Sequence, residues 1–458
     1  MKSNCHWFKE HTTITNFSHD FSDIYVLNCC QSKNGDAVIA SDTSNTIHIY
    51  NQSLSSSSST SSVHSSLNRL CSFKTQHSQR ISDLQFVRQS DHLLLTSSYD
   101  GSVCCWDIRT TSQPPSKPKF RASICANRLA AAAAEAGRKK PQARPQLLSV
   151  AGGGGANGHL LVSGATDGWV FVWDSRYLSN QLQVLTTHTE DTCQVAFHPV
   201  KPNMLFSGSF DELICGYDAS KFSPECGDDA LLLVLPIEEP VNRFGFYQAN
   251  ASQGYFLHCT TSNHNASIWN LEEQQMLKQF AQCRETCRQM IPQITVAGST
   301  TPVNSSVGST THVSSSASSS TMTSASMDDD QELTSLDYLI DFVVQPKTNQ
   351  LMLVGGNNAG NVSLFQVNPS NLSLDFAAAL NAHSGVVRAA MFQNNNPSRF
   401  FTCGEDASIV SWQYGQPPIS TGTTRKTKRR DQKKKQQQQP YLGTSQRGRG
   451  RRGRRGRR

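Results

Sequence analysis

The 458-residue chain has few apolar and aromatic residues, 37% and 8%, so part of it must lie outside any packed core. It also lacks long apolar runs. The longest, Ala230–Ile237, falls far short of the roughly 20 residues that cross a bilayer, and Met1–Asp20 holds no apolar stretch resembling a secretory signal. These absences lead to the expectation of a soluble intracellular chain with no membrane partner. Its 14 cysteines form neither a disulfide framework nor a zinc pattern. Cys104, Cys105, Cys193, Cys215 and Cys259 fall inside strand-like runs, and the close pair Cys283 and Cys287 has no second pair or nearby His at ligand spacing. Reduced, mostly buried thiols and no metal are expected. Acidic residues are nearly missing from one region: residues 425–458 hold 16 Lys or Arg against Asp431 alone, a net +15 in a chain of +7, which leaves −8 on residues 1–424. A basic arm on a mildly acidic body implies a partner for the arm rather than a basic enzyme cleft. The sequence offers no convergent set of nucleophile and base, and its glycine run at 152–155 lacks the Lys and Ser/Thr of a phosphate loop. Neither an enzyme, a cofactor nor a small-molecule substrate is implied.

What the chain does have is a repeat. Residues 93–107 read LLLTSSYDGSVCCWD, 160–174 LLVSGATDGWVFVWD, 204–218 MLFSGSFDELICGYD and 400–412 FFTCGEDASIVSW. Each suggests a buried strand, a tight turn carrying Asp, and a second strand ending in an aromatic. The aromatic follows the Asp by six residues at Asp100 and Trp106, Asp167 and Trp173, Asp211 and Tyr217, and Asp406 and Trp412, with Asn263 and Trp269 as a fifth copy. A His precedes the Asp by 23 residues in three copies, as His77, His188 and His383, and a hydroxyl lies four before it in four, as Thr96, Ser163, Ser207 and Thr402. Such a set can chain hydrogen bonds across the strands of one small sheet, each contributing about 1 kcal/mol net. The recurrence marks these residues as scaffold rather than acid/base pairs.

These residues resemble the structural tetrad of WD40 repeats, and the resemblance covers most of residues 24–414, with the WD dipeptide at Trp106-Asp107 and Trp173-Asp174. Several less generic segments, HTEDTCQVAFHPVKPNMLFSGSFDELICGYD (188–218), LDYLIDF (336–342) and LMLVGGNNAGNVSLF (351–365) among them, resemble one WD-repeat subfamily in sequence, order and spacing. Tyr50, Trp106, Trp173, Tyr217, Trp269, Phe365 and Trp412 then end seven third strands. The expected fold is an all-β, seven-bladed WD40 β-propeller over 12–416, with Thr12 to Phe17 supplying an outer strand to the last blade. Blades one and six depart from the pattern, with Ser44 and Ala359 where Asp is expected. Low-complexity segments at about 51–66, 110–146 and 297–330 read as disordered inserts, and 417–458 as a disordered basic Arg/Gly/Lys tail.

Two features point outward. Trp106-Asp-Ile-Arg109 and Trp173-Asp-Ser-Arg176 resemble the W-D-x-R box of WD40 substrate receptors that dock on the adaptor of cullin RING ubiquitin ligases, which makes Arg109 and Arg176 adaptor-docking candidates. In the tail, Arg425, Lys426, Lys428, Arg429 and Arg430 with Lys433, Lys434 and Lys435 form two basic clusters close enough to act as one nuclear import signal. Arg447, Arg449, Arg451, Arg452, Arg454, Arg455, Arg457 and Arg458 form a polycation with only Tyr441 nearby for stacking, which implies weak, non-specific RNA contact. The resulting expectation is a non-catalytic scaffold that binds other proteins through propeller loops and faces, in the nucleus and nucleolus with some in the cytoplasm.

Overall fold

The computed structural model describes residues 7–9, 15–16, 25–53, 66–109, 115–139, 141–223, 228–248, 254–292 and 335–415. All of them belong to one compact unit, Met1–Pro417; the tail beyond it and the expected insert at 297–330 lie outside the described residues, as does the expected insert at about 51–66 except at its ends, where 51–53 and Ser66 belong to strands of blade one. The described chain forms seven antiparallel sheets, and the architecture is an all-β, seven-bladed propeller. Blades one to six span 26–74, 81–123, 147–185, 194–236, 241–280 and 338–381, four strands each in chain order. Blade seven has three strands, Val387–Phe392, Arg399–Gly404 and Ser408–Gly415, and borrows its outer edge from the start of the chain. Trp7–Lys9 pairs with Gly415–Gln413, and Thr15–Asn16 pairs with Ile409–Ser408. The ring thus takes in residues ahead of the expected boundary at 12.

Burial follows position within a blade. Second strands such as Leu160–Ala165, and third strands such as Ser102–Asp107, are buried almost without interruption, because a neighbouring blade covers each face. The outer strand Leu231–Pro236 alternates exposed and buried residues, since water meets one side. The apolar side chains sort into seven clusters, one in each seam between adjacent blades. Ile39, Phe86 and Trp106 fill the seam between blades one and two, for example, and Val38, Tyr50, Phe401 and Cys403 fill that between one and seven. Closing the ring this way leaves only short strand edges, protected by the neighbouring blades.

The expectation of a disordered insert at 110–146 is corrected here. Phe120–Ser123 is the fourth strand of blade two, paired to Cys105–Ser102, and Ala126–Glu135 is a helix that buries Leu129, Ala132 and Ala133 in the seam with blade three. Alanine is the strongest helix former, and with Leu129 it gives an apolar stripe narrow enough to lie on the blade edge. The glycine run belongs to the first strand of blade three, Leu147–Gly154. A Cβ on Gly154 would collide with the Phe197 ring and one on Gly152 with Leu95, so the run lets neighbouring blades approach. Cys283 and Cys287 lie one turn apart on the helix Cys283–Met290, buried in the seam between blades five and six with their sulfurs 3.9 Å apart.

Candidate interaction site

The repeated polar residues meet in three blades. In blade two, Trp106 Nε1 donates to Thr96 Oγ1 (3.0 Å), which lies 2.8 Å from His77 Nε2, while His77 Nδ1 is 3.2 Å from Asp100 Oδ2. A carboxylate can only accept, so Nδ1 carries a proton. Blade seven repeats the chain with Trp412, Thr402, His383 and Asp406 at 2.9, 2.8 and 3.0 Å. In blade four, His188 lies 2.7 Å from Ser207 Oγ and 2.9 Å from Asp211 Oδ2, and Tyr217 replaces the indole, its hydroxyl 3.1 Å from Ser207. Burial disfavours the charged form of these acids, but the imidazole bonds and charge, together with neighbouring hydroxyl and backbone N–H donors, outweigh it and hold Asp100, Asp211 and Asp406 below the ordinary carboxylate range. Burial opposes the charge on His188 more than any single partner favours it, but Asp211 and Cys215 together raise the ring to about 9.

The same residue types are not brought together in blade three. Ser163 Oγ donates instead to the Ser149 carbonyl, Trp173 Nε1 is buried with no partner among the described residues, and Asp167 is exposed on its turn. Position 144, where a His would stand, is Arg144, which reaches back to the carbonyls of Asp100 and Ile124 in blade two. In blade five Trp269 donates to Ser267 (2.9 Å), because Cys259 stands where the hydroxyl would be. The two departing blades use other braces. Asp42, two residues before Ser44, binds His48 at 2.9 Å and the backbone N–H groups of Ser44 and Thr46 in blade one; in blade six Asn357 accepts from the Asn361 N–H at 2.8 Å.

Arg109 and Arg176 sit alike on neighbouring blades, with side chains 65% and 53% exposed. Each folds onto the Asp of its own WD pair. Arg109 Nε donates to Asp107 Oδ1 (2.9 Å) and Nη2 to Oδ2 (2.5 Å); Arg176 does the same to Asp174 at 3.0 and 2.6 Å. Both forks are oriented at the rim with one face already occupied.

The turns joining first to second strands bring together residues with no shared motif. A cavity of about 480 Å³ opens among Lys33, Phe86, Arg88, Gln89 and Phe197 from blades one, two and four, and no carboxylate lines it. Arg88 Nη2 donates to the Pro199 carbonyl, while Nη1 is buried without a partner among the described residues. Beside it, burial and then the charges of Lys201 and Arg88 push His198 down to about 4, and Val200 on the same turn is 62% exposed. The arrangement is a cationic, partly apolar recess able to accept an acidic side chain. Within the ring, Asp83 on the first strand of blade two and Asp341 on that of blade six are raised by burial to about 6, with Arg243 on the first strand of blade five opposing the rise. Sequence reading missed all of these; lone charges in apolar first strands were the available signal for the two acids.

A family model described as "WD domain, G-beta repeat" matches residues 68–107. The match starts on the outer strand of blade one and ends on the third strand of blade two, so the repeat straddles two blades. The subfamily suggested by the less generic segments is that of WD repeat-containing protein 89. The chain is similar to the WD repeat-containing protein 89 homolog of Dictyostelium discoideum, 23% identical over 408 residues and 88% of each chain. It is also similar to WD repeat-containing protein GTS1 of Arabidopsis thaliana, 25% identical over 352 residues, 74% of this chain and 71% of the other. Nucleoporin Nup43 of Mus musculus is 34% identical over 67 residues, 15% of this chain and 18% of the nucleoporin.

Proposed function

We propose that this chain, a seven-bladed propeller of WD40 repeats, is a non-catalytic scaffold that holds protein partners in a nuclear complex. The observation that carries the reading is how the polar groups are divided. The His and Asp residues that could do acid/base chemistry are spent bracing separate blades, and the hydroxyl each imidazole meets, on Thr96, Ser207 or Thr402, is fully buried away from any substrate. Unspent groups lie on the turns: the buried Nη1 of Arg88 in its cavity and the exposed Val200 beside it. Rigid strands fix such turns, and recognition falls to them. The clusters from Arg425 to Lys435 act as the nuclear address, in keeping with the partial likeness to a nucleoporin, and Arg447 to Arg458 add weak RNA contact, with nucleolar and some cytoplasmic protein. Proximity labelling of the full chain and of a chain lacking 425–458, each with and without RNase, tests the reading. A nuclear partner set that survives RNase, and a shift of the truncated chain to the cytoplasm, is expected; unchanged nuclear signal after truncation sinks the targeting role.

A second reading, substrate receptor of a cullin RING ligase, is favoured by the matched, exposed geometry of Arg109 and Arg176. A planar guanidinium held still at a strand end suits recognition of carboxylates or carbonyls on an adaptor. If it holds, Arg109→Ala with Arg176→Ala abolishes co-purification of the adaptor while the melting temperature stays put. Capture that persists in the double variant, or is missing from the parent, eliminates it.

A further inference from the structure

Cys29 and Cys403 are 374 positions apart in sequence, yet their sulfurs lie 2.6 Å apart. Cys29 is on the first strand of blade one, Val26–Gln31, and Cys403 on the second strand of blade seven, Arg399–Gly404. The pair therefore spans the seam where the ring closes. That seam is otherwise held by the cluster around Val38, Tyr50 and Phe401 and by amide contacts, among them Gln393 Nε2 to the Gly35 carbonyl (2.7 Å) and the Asn394 N–H to Gln31 Oε1 (2.9 Å). We infer that Cys29 and Cys403 form a reversible disulfide that locks blade one to blade seven under oxidising conditions.

The sulfurs are about half an ångström beyond the bond length of about 2.05 Å, so closure needs side-chain adjustment and no rearrangement of strands. The division of labour follows from exposure. Cys403 is buried, and its thiol is held well above the usual range by its hydrogen bond to Cys29 and by burial, so it is a poor first reactant; Cys29 is partly exposed. A peroxide supplies the oxidant. Cys29 thiol and hydrogen peroxide give the Cys29 sulfenic acid and one water. The Cys403 sulfur then attacks the Cys29 sulfur; the S–O bond breaks, and the departing hydroxide takes the Cys403 proton as a second water. Two thiols have lost two electrons, and both oxygens of the peroxide are reduced. Cys30, next in sequence, packs instead into the seam between blades one and two and has no part in the bond.

The test treats the reduced full-length chain with hydrogen peroxide, digests it without reductant and maps linked peptides by mass spectrometry, with thermal melting in parallel. A Cys29–Cys403 peptide two hydrogens lighter than the reduced pair is expected, with a melting temperature higher by at least about 5 °C, since the crosslink closes a very long loop. Both changes reverse with dithiothreitol. They persist in Cys30→Ser and vanish in Cys29→Ser. Full alkylation of Cys29 and Cys403 after oxidation, or a link from Cys29 to Cys30, overturns the inference, and the mapping on the unaltered chain does not depend on how any variant folds.

Discussion

Blades two and three share the Asp-Gly turn and the closing Trp-Asp pair, in TSSYDGSVCCWD and SGATDGWVFVWD, yet only one of them closes its hydrogen bonds. In blade two the indole, hydroxyl, imidazole and carboxylate are linked end to end; in blade three the Trp173 N–H is buried without a partner among the described residues and Asp167 faces solvent. The difference that bears on the network is the missing imidazole, since position 144 is Arg. Without a His at position 144 the Ser163 hydroxyl turns to a backbone carbonyl, and the Asp has nothing inward to accept from. Trp173 stays because its ring packs, 5.9 Å from Phe171 in the seam with blade two. The indole thus serves packing first, and the network depends on the imidazole.

The largest effect expected from this contrast is in pH. His188 in blade four has a folded pKa of about 9, above its unfolded value of about 6.5. Its contribution is fully present below about pH 6.5 and is lost as pH rises through about 9, a decline of at most roughly 3 kcal/mol. Chemical denaturation from pH 6 to 9.5 should show that fall, and His188→Gln should flatten it. Persistence of the full slope in the variant would place its source elsewhere.

A smaller effect separates the two turn acids. Asp100→Asn weakens a buried charge-assisted bond to His77 and should cost about 1–2 kcal/mol, whereas Asp167→Asn, which keeps a residue tolerant of its left-handed turn, φ 58°, should fall within about 0.5 kcal/mol. Equal losses in urea unfolding would mean that blade three has a network the geometry does not contain.

The ring was legible because its signature is periodic: the aromatics from Tyr50 to Trp412 each fall on a third strand. The braces were legible where the His recurred and misleading where only Asp and Trp did, since a missing imidazole leaves no trace in the motif that follows it. Composition hid the outer strand Phe120–Ser123 and the helix after it, because a Pro- and Ala-rich stretch shows little period-two pattern even when a blade lacks its fourth strand. The recess at Arg88 was illegible for a different reason: its walls come from turns of separate blades, and only the closed ring makes them neighbours.

Because Trp7–Lys9 pairs with Gly415–Gln413, these early strand residues must wait during synthesis for a partner strand more than 400 positions further along the chain. At about 5–20 residues per second that interval is roughly 20–80 s. Until the closing strand is made, both N-terminal strands lack their partner, so chaperone occupancy during synthesis should be governed by the delay before that strand emerges.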